Sequence, residues 1–486
     1  MARARGHGEL PKRTFHLRAG AFVVALALLA AGLLSGCATS TAPRKPPDGL
    51  VPCKAVTGTE GWCGSIPVPV DWANPAGPTI ALWVNVLPAR TSPAAPDPMF
   101  YIEGGPGGAS TQEAAWAAQA FKEINQTHDL VFVDQRGTGL SDDLSCPGID
   151  QGTPVRSLRT AAQLCLSAEG TDASHFTTAA AAHDLDYVRR VLGYKKIDLY
   201  GVSYGVSLGL AYLQRYGAHV RTAVFDSGSL LTTPLWQEAP LHAEQAFDRL
   251  VRRCHETPAC AKAYNPAADL ATVLAQLKSA GDVAGLLSDV DDYYLGQSTA
   301  AVLLPADLHL AARSGLSALL QKRKSWFAAQ APGTASLLMS LTIECGDAWA
   351  AINPKAIGHS TFAPMMAAKS AYFDALCPAW PHDPGVSGAV HTSDPVLFLN
   401  GTADPTDPPA NVAGATATMP NALLVAVPGS AHWVLNASWN WGSTTPACLL
   451  NGVATFVDSG RRASRSTWAA CTASLARYVP SFPPGP

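Results

Sequence analysis

The sequence predicts an α/β fold: a mostly parallel, doubly wound sheet with an inserted, mainly helical cap. Three observations carry this. Apolar strand-like runs alternate with helical spacing through "PMFYIEGGPGG", "DLVFVDQRGTGLS", "AAHDLDYVRRVLG", "KKIDLYGVSYG" and "RTAVFDSG". From about Leu235 to Gly388 helical spacing takes over and buried strand runs are scarce. Then "DPVLFLNG" and "NALLVAVPG" return as apolar strands, each ending in glycine.

The elements follow in order. Arg3, Arg5, Lys12, Arg13 and Arg18 form a positive lead, and an apolar run follows from about Ala19 to Leu34. That run is short of the ~20 residues a spanning helix needs. An ordinary signal peptide or short anchor would fit it, but Leu34-Ser35-Gly36-Cys37 resembles the bacterial lipobox, whose cysteine is lipidated. Residues 1–36 are therefore expected to be a lipoprotein signal peptide, and Pro-rich 37–50 a tether. Cys37 would carry a lipid anchor to the membrane of an exported, extracytoplasmic envelope protein. The expected core runs over 51–232, the cap over 233–390, and the C-terminal part of the core over 391–486. "SIPVPVDW" and "TIALWVNVLP" supply short β-like pieces early in the core. In the first crossover helix Leu185, Val188 and Leu192 share one face, and Gly193 stops it.

Composition excludes some functions. The 486 residues are 48% hydrophobic and 15% charged, enough for a large core and too apolar for bulk disorder. A net charge of -3, with no basic block beyond the N-terminus, argues against a nucleic-acid surface. Of 11 cysteines, setting Cys37 aside leaves an even ten. They fall into local pairs: Cys53 and Cys63, Cys146 and Cys165, Cys254 and Cys260, Cys345 and Cys377, Cys448 and Cys471. In an oxidising compartment these could close five bridges. The sequence has no C-x-x-C pair and no adjoining His cluster, so no metal or other cofactor is expected.

The chemistry centres on "GVSYG", the spacing G-x-S-x-G at Gly201, Ser203 and Gly205. A sharp strand-to-helix turn needs small neighbours, and it would expose the Ser203 hydroxyl at the C-terminal sheet edge. A serine hydroxyl is a poor nucleophile at neutral pH and needs a base, which in turn needs an acid to orient it. Asp404 stands just past one late strand and His432 just past the next. Parallel strands share one C-terminal edge, so both should open beside Ser203. Asp407 is the rival acid; Asp394 precedes its strand and should lie at the wrong edge; His391 and His382 are distant alternatives to His432. Backbone N–H groups of Tyr204 and of Gly105, in the turn "EGGPGG", are candidates for an oxyanion hole.

With these segments, the chain resembles the proline iminopeptidase and tripeptidyl aminopeptidase branch of the α/β-hydrolase serine peptidases. It is most similar to secreted or lipid-anchored bacterial members and related carboxylesterases. The marks are "GGPGG", "VDQRGTGLS", "GVSYG", "ECGD", "FLNGTADPTDPP" and "VPGSAH", over about Cys53 to Tyr478. The resemblance implies Ser203 as nucleophile, Asp404 as acid, His432 as base and a sheet core split by a helical lid. Two departures touch the pocket. Glu103 stands where many relatives have His before "GGPG", and "GSAH" replaces the usual glycine-rich approach to the histidine.

An aminopeptidase must bind a substrate ammonium, and Glu103, Glu344 and Asp347 are candidates, against a structural hydrogen-bonding role for each. The expectation is an exported serine aminopeptidase acting on short peptides with free N-termini. A carboxylesterase with the same triad, or a catalytically silent envelope binding protein, are the alternatives. The sequons at Asn125, Asn400 and Asn436 read as incidental, and Trp433, Trp439 and Trp441 as packing.

Overall fold

The computed structural model describes residues 44–483, apart from 55–57, 59, 145–158, 161–162, 165–166, 168–171, 278, 318, 323–324, 326–335, 349–352, 354, 356 and 381–385. The expected leader, Cys37, Cys146, Cys165, His382 and the side chain of Asp347 lie outside the described residues. Residues Pro46–Pro486 form one compact unit. Leu50, at the end of the stretch read as tether, is buried in its core.

A nine-stranded sheet in the order β1-β2-β3-β5-β4-β6-β7-β8-β9 organises this unit. Its strands are β1 (Val51–Lys54), β2 (Glu60–Pro69), β3 (Thr79–Leu87), β4 (Met99–Ile102), β5 (Leu130–Val133), β6 (Ile197–Val202), β7 (Val220–Asp226), β8 (Val396–Gly401) and β9 (Ala422–Val427). The pairings from β1 to β3 and from β3 to β5 are antiparallel. Those joining β5, β4, β6, β7, β8 and β9 are parallel. Every residue of β4, β5, β6 and β8 is buried. Helices cover both faces of these strands, which is why their sequences are continuously apolar.

The crossover helix Thr178–Val191 is capped by the Thr177 hydroxyl on the Ala180 N–H. Leu185, Val188 and Leu192 are buried as expected, and Gly193 leaves the helix at positive φ. Between β7 and β8 every described element is a helix, from Leu235–Glu256 through Ala363–Leu376 to the short turn Cys377–Ala379. The cap helices enclose a core of their own that includes Phe247, Leu250, Leu287, Leu304, Leu308 and Phe362. Among the described residues no helix is long and apolar enough to cross a membrane. Four of the expected bridges are present: Cys53–Cys63, Cys254–Cys260, Cys345–Cys377 and Cys448–Cys471.

The "DQRGTG" segment is structural. Asp134 accepts hydrogen bonds from the Thr111 N–H (2.8 Å) and hydroxyl (2.9 Å) and from the Leu140 N–H (3.1 Å). Arg136 is fully buried and forks onto Asp184 through Nε (2.7 Å) and Nη2 (2.6 Å). Its remaining N–H groups reach the carbonyls of Val70 (2.8 Å), His175 (2.7 Å) and Pro69 (3.2 Å). At the opposite, N-terminal sheet edge, Arg221 pairs with Asp97 and Asp198 and donates to His128 (3.1 Å). A side-chain cation thus already occupies a cluster with the spacing of a metal site.

Replacing Arg136 by Ala leaves Asp184 as a buried carboxylate with no cation beside it, held only by the Trp72 Nε1–H at 3.0 Å. Chemical denaturation should then find a loss of about 3–5 kcal/mol of stability, the usual cost of breaking a buried ion pair from one side.

Candidate active site

β6 ends in a turn whose apex, Ser203, has φ 55° and ψ -127° and caps the helix Tyr204–Tyr216. Such a backbone costs on the order of 1–3 kcal/mol in a non-glycine residue and must be held by its surroundings. The glycines make it possible. A Cβ on Gly205 would lie 2.3 Å from the Ile102 carbonyl oxygen, and one on Gly201 would lie 2.5 Å from that of Gly205. The turn after β4 also closes on the serine, since a Cβ on Gly104 would stand 2.7 Å from the Ser203 Cβ. Gly105, at φ 107°, follows in that turn, and Tyr204 follows Ser203 as the first residue of the helix. The Tyr204 hydroxyl lies 2.7 Å from that of Thr178.

Asp404 and His432 meet. Asp404 is fully buried, and its Oδ2 lies 3.0 Å from His432 Nδ1. Its Oδ1 accepts the N–H groups of Thr406 and Asp407, both at 2.9 Å. Those two backbone donors fix the carboxylate plane, so Nδ1–H points at Oδ2 and Nε2 is left to face outward. Asp407 is farther, 3.8 Å from Nδ1, and is turned toward Ser229, whose hydroxyl donates to it. Burial, with the neighbouring Asp404 charge adding, pushes Asp407 up to about 7 despite the opposing effect of His432. Asp394 hydrogen-bonds Thr392 ahead of β8, at the other edge.

Burial alone would pull the His432 imidazolium below its ordinary value. The charge and hydrogen bond of Asp404 outweigh it, with Asp407 and Asp226 adding, and raise it to about 9.

Asp226 joins the two halves of the site, a role the sequence reading missed. It ends β7, between β6 and β8. Its carbonyl accepts the Ser203 N–H (3.0 Å), while its carboxylate accepts the N–H groups of Val434 (2.7 Å) and Leu435 (3.0 Å). The serine elbow and the histidine loop are therefore tied to one residue. Within the histidine loop, between His432 and Val434, Trp433 sits at φ 56°, a left-handed backbone that costs roughly 1–2 kcal/mol.

Of the three amine candidates the side chain of Asp347 lies outside the described residues, and the other two fall in different parts of the chain. Glu103 lies on the core side, where the Tyr101 hydroxyl donates to its carboxylate and burial raises its pKa. The charge of His432 also acts on this carboxylate, in the lowering sense, and the backbone carbonyl accepts from Gln135 Nε2 at 3.3 Å. Glu344 lies in the cap, raised by burial and next by the charge of Asp292, against the opposing Lys369 ammonium. Beside it the cap adds two carboxylates that sequence reading passed over, Asp291 and Asp292. Asp291 is buried and its Oδ1 has no hydrogen-bond partner among the described residues. Asp292 is open to solvent, yet surrounding protein still raises its pKa, the combination expected of a side chain lining a recess. The Lys369 ammonium stands 3.3 Å above the Trp236 ring. The charges of both Asp404 and His432 act on Asp291, which sets this acidic group on the side of the cap nearest the pair. An Asp-Asp doublet in the apolar stretch "LLSDVDDYYLG" was the available signal.

The family model described as alpha/beta hydrolase fold matches residues 97–435. The chain belongs to that family. A tripeptidyl aminopeptidase of Streptomyces coelicolor is 32% identical over 216 residues, 38% of each chain. The serine protease Hip1 of Mycobacterium tuberculosis is 27% identical over 231 residues, 42% of this chain and 44% of that one. A carboxylesterase B of Mycobacterium tuberculosis is 30% identical over 224 residues, 41% and 42% of the two chains. The chain thus spans less than half the length of the curated relatives it matches.

The geometry makes Asp404 the dominant partner of His432. Asp404→Asn should lower the His432 titration midpoint, read by NMR of the imidazole, from about 9 toward the free value. Asp407→Asn should lower it by less, and an equal or reversed order would make Asp407 the partner.

Proposed function

We propose that this α/β-hydrolase is an exported serine aminopeptidase that hydrolyses short peptides from free N-termini. Ser203 attacks the scissile carbonyl. His432 takes its proton and passes it to the leaving amine, and Asp404 holds the ring and stabilises the imidazolium. The amides of Gly105 and Tyr204 face the developing oxyanion. Water, activated by His432, then releases the acyl group from Ser203.

The single observation that favours a peptidase over an esterase is the acidic group of the cap. Asp291, Asp292 and Glu344 bring three carboxylates together against one ammonium, that of Lys369. Burial raises all three carboxylates, so a bound cation is what would favour their charged forms, and a peptide's free α-ammonium is the cation that an ester of a neutral acid lacks. The matching segment of the tripeptidyl aminopeptidase is consistent with this reading. The carboxylesterase match keeps acyl-ester hydrolysis by the same triad as the second reading. Four disulfides suit an oxidising, extracytoplasmic compartment, and the lipobox-like Cys37 supplies an anchor to its membrane.

Turnover of a short peptide amide with a free amine should exceed that of its N-acetylated form by about 10–100-fold, the worth of one charge-assisted contact. The same gap should shrink in Asp292→Asn, through KM rather than kcat. Equal rates on free and blocked substrates would refute the aminopeptidase reading and leave the esterase.

His432 accepts a proton only when neutral, so its raised pKa shifts the acid limb of the pH profile upward. kcat/KM should rise with pH through the His432 midpoint, with an inflection above the ordinary imidazole value. A profile already flat at pH 7 would contradict this.

A further inference from the structure

Residues 429–433, which carry His432, are held from two sides. From the core comes Asn440, fully buried in the short helix Ala437–Asn440. Its Oδ1 accepts the Ala431 N–H at 2.7 Å, and its Nδ2 donates to the carbonyls of His432 and Trp433, both at 2.9 Å. These partners fix which end of the amide is oxygen, because only Nδ2 can serve two carbonyls.

From the cap comes the segment after the acidic group. The Gly296 carbonyl accepts the His432 N–H at 3.2 Å. The buried Ser298 hydroxyl accepts the Ala431 N–H at 2.9 Å and has the Gly429 carbonyl and Asn440 Oδ1 as acceptors, each at 2.8 Å. Thr299 adds a bond from its hydroxyl to the Ser438 carbonyl at 2.8 Å. The peptide N–H of His432 is thus held by the cap and its carbonyl by Asn440. The same cap also reaches the turn after β4, where the Ser336 N–H donates to the Gly107 carbonyl at 2.9 Å.

We propose that Ser298 and Asn440 form a clamp between cap and core that positions His432, making the cap a fixed part of the proton-transfer geometry. The proposal rests on the reading of Ser203, His432 and Asp404 as a triad. The physical need is plain. The Asp404 contact restrains the ring at Nδ1, but ring direction also depends on the backbone that carries it. That backbone is followed at once by the strained Trp433. Without the clamp, Trp433 can relax and carry the imidazole away from Ser203. Misplacement by about 1 Å is enough to cost on the order of 100-fold in rate. Ser298 and Asn440 touch neither substrate nor reacting atoms; they act through His432.

The test measures kcat and KM on the preferred substrate, together with melting temperature, for Ser298→Ala, Ser298→Thr, Asn440→Ala and the double alanine variant. Loss of the clamp should lower kcat about ten-fold or more while KM stays within about two-fold, since binding groups are untouched. Ser298→Thr, which keeps the hydroxyl, should recover most of the loss. The double variant should fall little below the worse single, because the two side chains act as a unit. A Ser298→Ala protein that melts lower but keeps native kcat when folded would overturn the proposal, and so would a loss confined to KM. Should Asn440→Ala fail to fold, the Ser298 pair decides alone. Ser203→Ala and Asp404→Asn run beside them. If these two are inactive while Ser298→Ala is native in kcat, the triad stands and the clamp falls. If Ser203→Ala retains turnover, the underlying triad reading falls and the clamp with it.

Discussion

One buried carboxylate, Asp226, sets the spacing on which the rest of the site depends. It accepts hydrogen bonds from the Val434 and Leu435 amides, the Tyr200 hydroxyl and the Ser227 hydroxyl, while its own carbonyl takes the Ser203 N–H. Burial pushes it up to about 6, and those donors keep it from rising further. Three non-glycine residues at positive φ surround it: Ser203, Ser227 and Trp433. Strain of that kind persists only where several contacts over-determine the backbone, and here they converge on one residue. The elbow after β6 and the loop after β9 have two strands, β7 and β8, between them, yet both are tied to one residue at the end of β7.

The cap completes the electrostatics. Core residues supply Ser203, Asp404 and His432, and the cap supplies Asp291, Asp292 and Glu344. The Lys369 ammonium offsets part of that negative field. The histidine itself is drawn toward its charged form by core carboxylates, Asp404 first and then Asp407 and Asp226. The same cap segment that carries Asp291 and Asp292 continues into Gly296 and Ser298, which hydrogen-bond the backbone of His432 and Ala431.

The sheet was legible in the sequence where physics makes it local. Strands buried on both faces have to be apolar throughout, so "LVFV" coincides with β5 and "LFLNG" falls inside β8. The elbow was legible because its glycines have a steric reason, and the cystines because their partners are near in sequence. β1 escaped notice because it is short and largely exposed, and carries no continuous apolar run. Asp226, Ser298 and Asn440 escaped for another reason. They are ordinary polar residues: Asp226 and Ser298 find partners far away, 208 residues from Asp226 to Val434 and 142 from Ser298 to Asn440, while Asn440 bonds backbone 7 to 9 residues back in an irregular loop with no periodic pattern. Spacing along a chain carries no trace of such contacts. The choice between Asp404 and Asp407 was likewise a matter of loop geometry: 3.0 Å against 3.8 Å to the same nitrogen.

The central claim is that the loops bearing Ser203, Asp404 and His432 form one proton-transfer unit. A crystal structure of the protein after reaction with a fluorophosphonate tests it most directly. The adduct should show phosphorus bonded to Ser203 Oγ, a phosphonyl oxygen within hydrogen-bond reach of the Gly105 and Tyr204 amides, and His432 Nε2 beside the ester oxygen with Asp404 still on Nδ1. An adduct on another residue, or a His432 ring turned away from a phosphonylated Ser203, would contradict it.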